Sequence, residues 1–202
     1  IIIMSSLPQD LHKFRCPWCM GFEQYIKYHD EEWGVPVYDD RTHFEFLILE
    51  SAQAGLSWAT ILKKREGYRK AFADFDYKIV ADLPDSYVTE LLQDPSIIRN
   101  ELKIRAAINN AKRFMEIQSQ FGSFSNYIWG FVDGKVIDRQ LKSMQNALAT
   151  TPESDKLAKD LKRRGLKFLG STTIYAHIQA TGLVNDHLTE CFRYEEVKLL
   201  AK

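Results

Sequence analysis

Apolar positions along this chain recur at helical spacing almost throughout, with no run of strictly alternating strands. The densest block, Phe44-Glu45-Phe46-Leu47-Ile48-Leu49-Glu50, is apolar nearly all round. It predicts a central buried helix to about Ala54, capped by Asp39 or Asp40 and broken at Gly55. A second helix is predicted over residues 58–65. Asp76 can cap a short one to about residue 82, and Pro84 suits the first turn of the next, ending near Gln93. Ile104, Ile108, Ala111 and Met115 form a stripe along residues 101–118, and Gly122 ends it. Residues 124–131 read as a short helix, and Asp133-Gly134 as a turn able to support a small hairpin. Residues 136–150 show no clear period. Pro152 opens a helix that Gly165 ends after Arg164. Residues 172–181 form another, stopped by Gly182, and Asp186 starts a short last helix carrying His187 and Cys191. The expected fold class is all-α.

Composition narrows the setting. The chain has 202 residues, 45% hydrophobic and 27% charged, enough for one well-cored domain. Three cysteines cannot all pair, which argues against a disulfide framework and for a reducing, cytoplasmic setting. No apolar stretch reaches membrane-spanning length. Ile1-Ile2-Ile3 ahead of Met4 is too short for a secretory signal and reads as a remnant of the expression vector. We therefore divide the chain into a 1–14 extension, a 15–194 domain and a 195–202 tail. The formal net charge is zero, so any nucleic-acid contact must rest on local patches. One is Lys159 to Lys167, with five bases and one acid, and a second is Lys63-Lys64-Arg65. For a single basic cluster the ordinary alternative is a solvated helix face.

Chemistry concentrates at three places. Cys16 and His29 near the start, and His187 and Cys191 near the end, resemble two halves of one tetrahedral zinc set. The H-x-x-x-C spacing on a helix would put both side chains on one face. Scattered Cys and His residues are more often packing than ligands. Cys19 adds a C-x-x-C that could be a metal knuckle or a redox pair, although the short polar stretch before it does not suit the redox fold. Second, residues 153–182 read as helix, tight turn, helix. Gly165 and Gly170 frame the turn, with Arg163, Arg164 and Lys167 close by. Exposed amides there could hold a phosphate without reading sequence; the alternative is a glycine-capped helical corner. Third, Glu50 lies in the most apolar helix, with Gln53 on the same face and Trp58 past the break. A buried carboxylate is either structurally paired or the floor of a pocket. Trp18, Tyr25, Tyr28 and Trp33 could wall such a pocket, though aromatics usually fill cores.

The blocks C-P-W (16–18), Y-I-K-Y-H-D-E-E-W-G-V-P (25–36), E-S-A-Q-A-G-L-S-W (50–58), K-K-R-E (63–66), I-I-R-N-E-L-K-I (97–104), T-P-E-S-D (151–155), R-G-L-K-F-L-G (164–170) and L-V-N-D-H-L-T-E-C (183–191) follow one another in order. Together they resemble the constitutive bacterial 3-methyladenine DNA glycosylases, from about Arg15 to Tyr194. The resemblance implies a helix-hairpin-helix glycosylase fold, with one structural zinc per chain on Cys16, His29, His187 and Cys191 tying the termini together. It implies Glu50 as the pocket carboxylate and Tyr28 and Trp58 as residues enclosing the base. Trp18, Tyr25 and Gln53 lie nearby, and Leu56 would enter the space that the base leaves. Leu169 and Ser171 depart from the Val and Pro frequent in the family's hairpin. Related glycosylases place a catalytic Asp near position 185, which is Asn here, and Asp186 is expected to cap the last helix, so neither is assigned.

The implied activity is hydrolytic excision of 3-methyladenine from double-stranded alkylated DNA, by a monomer. An ionised Glu50 would stabilise the cationic base between Tyr28 and Trp58, with no lysine nucleophile and no strand cleavage. The rival reading is a zinc-stapled helix-hairpin-helix DNA-binding module without catalysis, for which a buried Glu50 has no use.

Overall fold

The structure, a computed structural model, describes residues 13–200, so the Ile1–Met4 reading lies outside the described residues. Ten α-helices make up most of it: α1 (Glu23–Glu31), α2 (Asp40–Gln53), α3 (Trp58–Ala71), α4 (Tyr77–Ala81), α5 (Asp85–Leu91), α6 (Glu101–Phe121), α7 (Phe124–Trp129), α8 (Pro152–Arg163), α9 (Ser171–Ala180) and α10 (Phe192–Leu200). The predominantly helical expectation is met.

Helix α2 is the central element. Every residue from His43 to Ala52 is buried, and α3, α6, α7 and α9 pack around it. Asp39 caps it by accepting from Thr42 N at 2.8 Å. Asp40 instead reaches across to the start of α7, accepting from Phe124 N and Ser125 N at 2.9 and 2.8 Å. At the other end Lys103 Nζ donates to Ala52 O and Ala54 O, at 2.8 and 2.7 Å. These bonds satisfy carbonyls that the helix end leaves open. Gly55 then takes φ +80°, and the chain turns into α3 with Leu56 at the tip, 40% exposed.

The long α6 buries Ile104, Ala107, Ala111, Phe114 and Ile117. Ile108 and Met115 flank this face and are only partly buried. The Lys63-Lys64-Arg65 cluster braces the fold. Lys63 lies over the Phe22 ring, Lys64 Nζ donates to Pro95 O, and Arg65 pairs with Glu32 and Glu45.

Four features differ from the sequence expectations. Helix α1 has no counterpart in the hydrophobic pattern, because its buried face is Ile26, Tyr28 and His29, with one aliphatic residue among them. Asp133-Gly134 forms a turn but no hairpin. The chain continues instead into a two-residue strand, β1 (Ile137–Asp138), paired in parallel with β2 (Val184–Asn185) and extended by a Leu141–Leu188 bridge. Third, the last helix starts at Phe192 rather than near Asp186. Residues 186–191 form turns around the Leu188 bridge: His187 N donates to Asn185 Oδ1 and Thr189 N to Leu141 O, and Cys191 N closes a tight turn onto Leu188 O. Fourth, Asp186 is not a helix cap; its carboxylate accepts from Tyr175 Oη and from Gln179 Nε2.

The two ends meet through a close approach. Gly34 N and Val37 N donate to Ala180 O and Thr181 O at 3.2 and 3.0 Å. A Cβ on Gly182, which has φ +73°, would sit 2.4 Å from Pro36 N. Only glycine fits that contact.

Candidate active site and metal centre

An open cavity of about 240 Å³ lies where α1, α2, α3 and α9 converge. Its lining includes Trp18, Tyr25, Tyr28 and Trp33 from the N-terminal segment, Glu50 and Gln53 from α2, and Trp58 from the first turn of α3. All six pocket residues expected from sequence are thus brought together. Trp33, also read from sequence as a possible wall, lies here too; Gln179, Asp186, Leu141, Met144 and Ala147 complete much of the rest, and none of these five was assigned to a site from sequence. The signal for Gln179 is weak but real: Ala176, Gln179 and Ala180 share one face of α9 by their three- and four-residue spacing. Leu141, Met144 and Ala147 belong to the 136–150 stretch, which has no period to read.

The aromatic rings are neighbouring walls. Trp18 and Tyr25 centroids are 5.3 Å apart, Trp18 and Trp33 4.9 Å, and Tyr28 and Trp58 5.5 Å at an angle of 48°. A planar ring between two others needs roughly 7 Å, two contacts of about 3.5 Å. Tyr28 and Trp58 therefore do not form the two-sided sandwich expected from sequence in this structure; each offers one face or edge. Trp58 Nε1 is buried with no acceptor in the protein.

Glu50 is 3% exposed, and its Oε2 lies 2.8 Å from His177 Nδ1. His177 Nε2 lies 3.2 Å from His43 Nδ1, and His43 Nε2 lies 3.1 Å from Val37 O. Burial pushes the Glu50 carboxyl well above its ordinary range and lowers His177 to about 3. Burial, reinforced by His177, lowers His43 to about 3 as well. The Tyr28 phenol is pushed well up by burial and then by the neighbouring Glu50. Sequence reading missed both histidines, although His43 and Glu50 are seven apart on α2 and so share a face.

Beside the cavity, Cys16, His29, His187 and Cys191 are all buried, with their ligand atoms within 4.8 Å of one another. Cys16 Sγ to His187 Nδ1 is 3.7 Å, Cys191 Sγ to His29 Nε2 is 3.5 Å, and Cys191 Sγ to His187 Nδ1 is 3.7 Å. A tetrahedral ion with sulfur at about 2.3 Å and nitrogen at about 2.0 Å has S···N edges of roughly 3.5 Å. The donor set fits a metal.

The outer nitrogens are also fixed, as metal-binding imidazoles require. His29 Nδ1 lies 2.8 Å from Asp30 Oδ1, which Arg15 holds, and His187 Nε2 donates to Trp33 O at 3.0 Å. Cys19 is outside this set; its Sγ donates to Cys16 O at 3.1 Å. Trp18 and Trp33 touch both places, with Trp18 5.3 Å from the His29 ring and Trp33 4.6 Å from the His187 ring. The Cys/His cluster therefore buttresses one wall of the cavity.

At the turn between α8 and α9, Gly165 has φ +89° and Phe168 φ 59°. Helix α6 holds this turn from behind: Asn109 Nδ2 donates to Gly165 O, and Asn110 bonds both Lys167 N and Lys167 O. The Lys167 amide is thus already used. Helix α9 starts after Gly170 without a side-chain cap, and its first bond is Ile174 N to Gly170 O. Lys167 and Arg163 are exposed. Arg163 leans on Asp160 at 2.5 Å. Arg164 is committed to Asp160 at 2.6 Å and to Gln120, and it lies over the Phe121 and Tyr127 rings.

An aromatic cavity with the buried Glu50 in its lining, and a glycine turn that leads into the uncapped α9, are together what a DNA glycosylase would require. The comparisons place the chain in such a family. The sequence model for methyladenine glycosylase matches residues 18–194. DNA-3-methyladenine glycosylase 1 of Escherichia coli (strain K12) is 44% identical over 180 residues, 89% of this chain and 96% of that protein. A crystal structure of 3-methyladenine DNA glycosylase I superposes with a TM-score of 0.86 at 48% identity, covering 89% of this chain and 98% of that one. The 3-methyladenine DNA glycosylase I of Staphylococcus aureus, solved to explain its 3-methyladenine recognition, gives 0.86 at 38% identity, covering 88% and 95%. The chain belongs to the methyladenine glycosylase family.

Proposed function

We propose that this protein is a monofunctional base-excision-repair enzyme that flips 3-methyladenine out of alkylated duplex DNA and hydrolyses its N-glycosidic bond. The single observation that carries this reading is the Glu50 carboxyl at the floor of an aromatic cavity large enough for one base. An adenine methylated at N3 is cationic, so it leaves as a neutral base and needs no strong acid. Glu50 accepts from the exocyclic amino group and stabilises the positive ring. Tyr28, Trp58, Trp18 and Tyr25 each add a one-sided contact, worth roughly 0.5–2 kcal/mol for a cation over an aromatic face. Trp58 Nε1 and Gln53 supply further polar contacts. Normal adenine must be unpaired at a cost of a few kcal/mol and brings no charge in return. Leu56, at the exposed α2–α3 turn, takes the place of the departed base.

The DNA backbone is held at the helix-hairpin-helix formed by α8, Gly165–Gly170 and α9. The free amides before Ile174 receive a phosphate, and Lys167 and Arg163 add charge. Arg164, tied to Asp160 and stacked on two rings, acts here as a brace. Lys167→Ala is therefore expected to weaken binding to all duplexes alike and to reduce the slope of log affinity against log salt by about 1. Arg164→Ala is expected to leave that slope unchanged and lower the melting temperature. Equal slopes for the two variants would put the clamp elsewhere.

Cys16, His29, His187 and Cys191 hold one zinc ion, whose role is structural because four protein ligands leave no open position. The protein acts as a cytoplasmic monomer. Among the described residues, no helix is long and apolar enough to cross a membrane. Chromatography of bases released from methylated DNA tests the reading: free 3-methyladenine should accumulate without strand breaks, and no released base would refute it.

A further inference from the structure

The row of groups behind Glu50 allows only certain proton arrangements. The Val37 carbonyl oxygen only accepts, so His43 Nε2 carries a hydrogen across the 3.1 Å contact. A neutral His43 then presents a bare Nδ1, and His177 Nε2–H donates to it across 3.2 Å. That leaves the 2.8 Å gap between His177 Nδ1 and Glu50 Oε2. A bare ring nitrogen facing a carboxylate oxygen at this distance would set lone pair against lone pair. Switching the His177 tautomer does not help, because it forces a second hydrogen onto His43 or breaks the bond to Val37. One proton therefore occupies the gap, on Glu50 or on His177, and in either case the pair has no net charge.

The surroundings decide where it rests. Glu50 and His177 are almost completely buried. The titratable groups facing Glu50 are Tyr28 and Tyr25 from α1, His177 from α9, and Asp186 across the cavity. Asp39 and Asp40 lie behind His43, and Arg65, near Tyr28, is paired with Glu32 and Glu45. Among the described residues, no lysine or arginine lines the cavity. Burial favours the uncharged forms, so in the free protein the proton sits on Glu50. A cation entering the cavity stands closer to the carboxyl than to the imidazole behind it, and favours the opposite arrangement.

We propose that Glu50 and His177 share this one proton, and that a cationic base entering the cavity drives it from Glu50 Oε2 to His177 Nδ1. The O–H bond of Glu50 breaks, the N–H bond of His177 forms, and no other group gains or loses a proton. The carboxylate charge then appears only when a positive base is there to meet it. A neutral base leaves Glu50 protonated. His177 is a positioning residue, acting through Glu50, and His43 fixes its tautomer. This inference rests on the reading that the cavity receives a cationic base.

Two measurements test it. In His177→Gln the amide fills a similar space but cannot take the proton. Glu50 is then a lone buried carboxyl with a raised pKa, protonated below that pKa and ionised above it. Single-turnover release of 3-methyladenine by the variant should fall as pH falls and recover as pH rises through a midpoint above the ordinary carboxylate range, while the wild-type profile stays flat. At the acid end the variant should be slower by about tenfold or more. A loss parallel to wild type at every pH would make His177 a packing residue and overturn the proposal.

The second measurement uses the wild-type protein and does not depend on the variant folding. ¹⁵N NMR of its histidine rings should show His177 Nδ1 bare in the free protein. It should become protonated on saturation with a permanently cationic N3,N9-dimethylated adenine, but not with neutral adenine. A ring unchanged by the bound cation overturns the relay. If wild-type protein releases no 3-methyladenine, the proposed function fails; if release is normal and both relay readouts are absent, only this inference fails.

Discussion

His187→Ala is expected to lower stability by about 4 kcal/mol and to carry the bound ion away with it. For a chain of this size that corresponds to a fall in melting temperature of about 8–16 °C. The reason is geometric. His187 and Cys191 come from a turn at one end of the chain, Cys16 and His29 from the other, and no helix spans the two. The proposed ion would offset the entropy of holding these segments together. Its loss also frees the Trp18 and Trp33 rings that pack on His29 and His187, so the cavity wall should loosen and base release should weaken. Elemental analysis of freshly purified wild-type protein should find one zinc per chain. Finding none would refute the metal assignment.

Glu50→Gln should produce the opposite pattern, a large loss of activity on an intact fold. Removing the charge that meets the cationic base is expected to slow single-turnover release of 3-methyladenine by roughly 100-fold, the scale of losing one preorganised electrostatic contact. The fold should survive, because a glutamine amide can donate to His177 Nδ1 and keep the row to His43 and Val37 in place. Since burial raises the Glu50 pKa above its ordinary 4.5, the wild-type protein loses stability as pH rises from that value toward the raised one. The glutamine variant has no such loss. Its melting temperature should match wild type in acid and equal or exceed it at neutral pH. Affinity for undamaged DNA should hold, because the proposed phosphate clamp is the α8–α9 hairpin. A clear drop in melting temperature, with activity falling only as folded protein is lost, would make Glu50 structural.

The hydrophobic pattern showed the buried α2 and the helices around it because long apolar stripes are governed by burial alone. The Cys/His cluster was suggested by its spacing, and its full set, like the pocket aromatics, was implied by the family resemblance, because those side chains are few and chemically distinct. Other parts were decided by contacts that sequence spacing does not encode. Helix α1 escaped notice because its buried face is mostly polar-tipped. The turns at 186–191 were read as helix because a four-residue spacing of His and Cys fits either, and the choice was made by the neighbouring Asn185 and by Leu141 from elsewhere in the fold. Arg164 looked like a phosphate ligand by its neighbours in sequence, and Asp160 with two aromatic rings claimed it. His43 and His177 drew no notice in the sequence. Their meaning lies in one another and in Glu50, residues 134 and 127 positions apart along the chain.

The most direct test of the central claim is a crystal structure of this protein with 3-methyladenine bound. The base should lie in the cavity with its exocyclic amino group against the Glu50 carboxyl and its ring against Tyr28 and Trp58. A base bound elsewhere, with the Glu50 cavity closed or filled by side chains, would contradict the account.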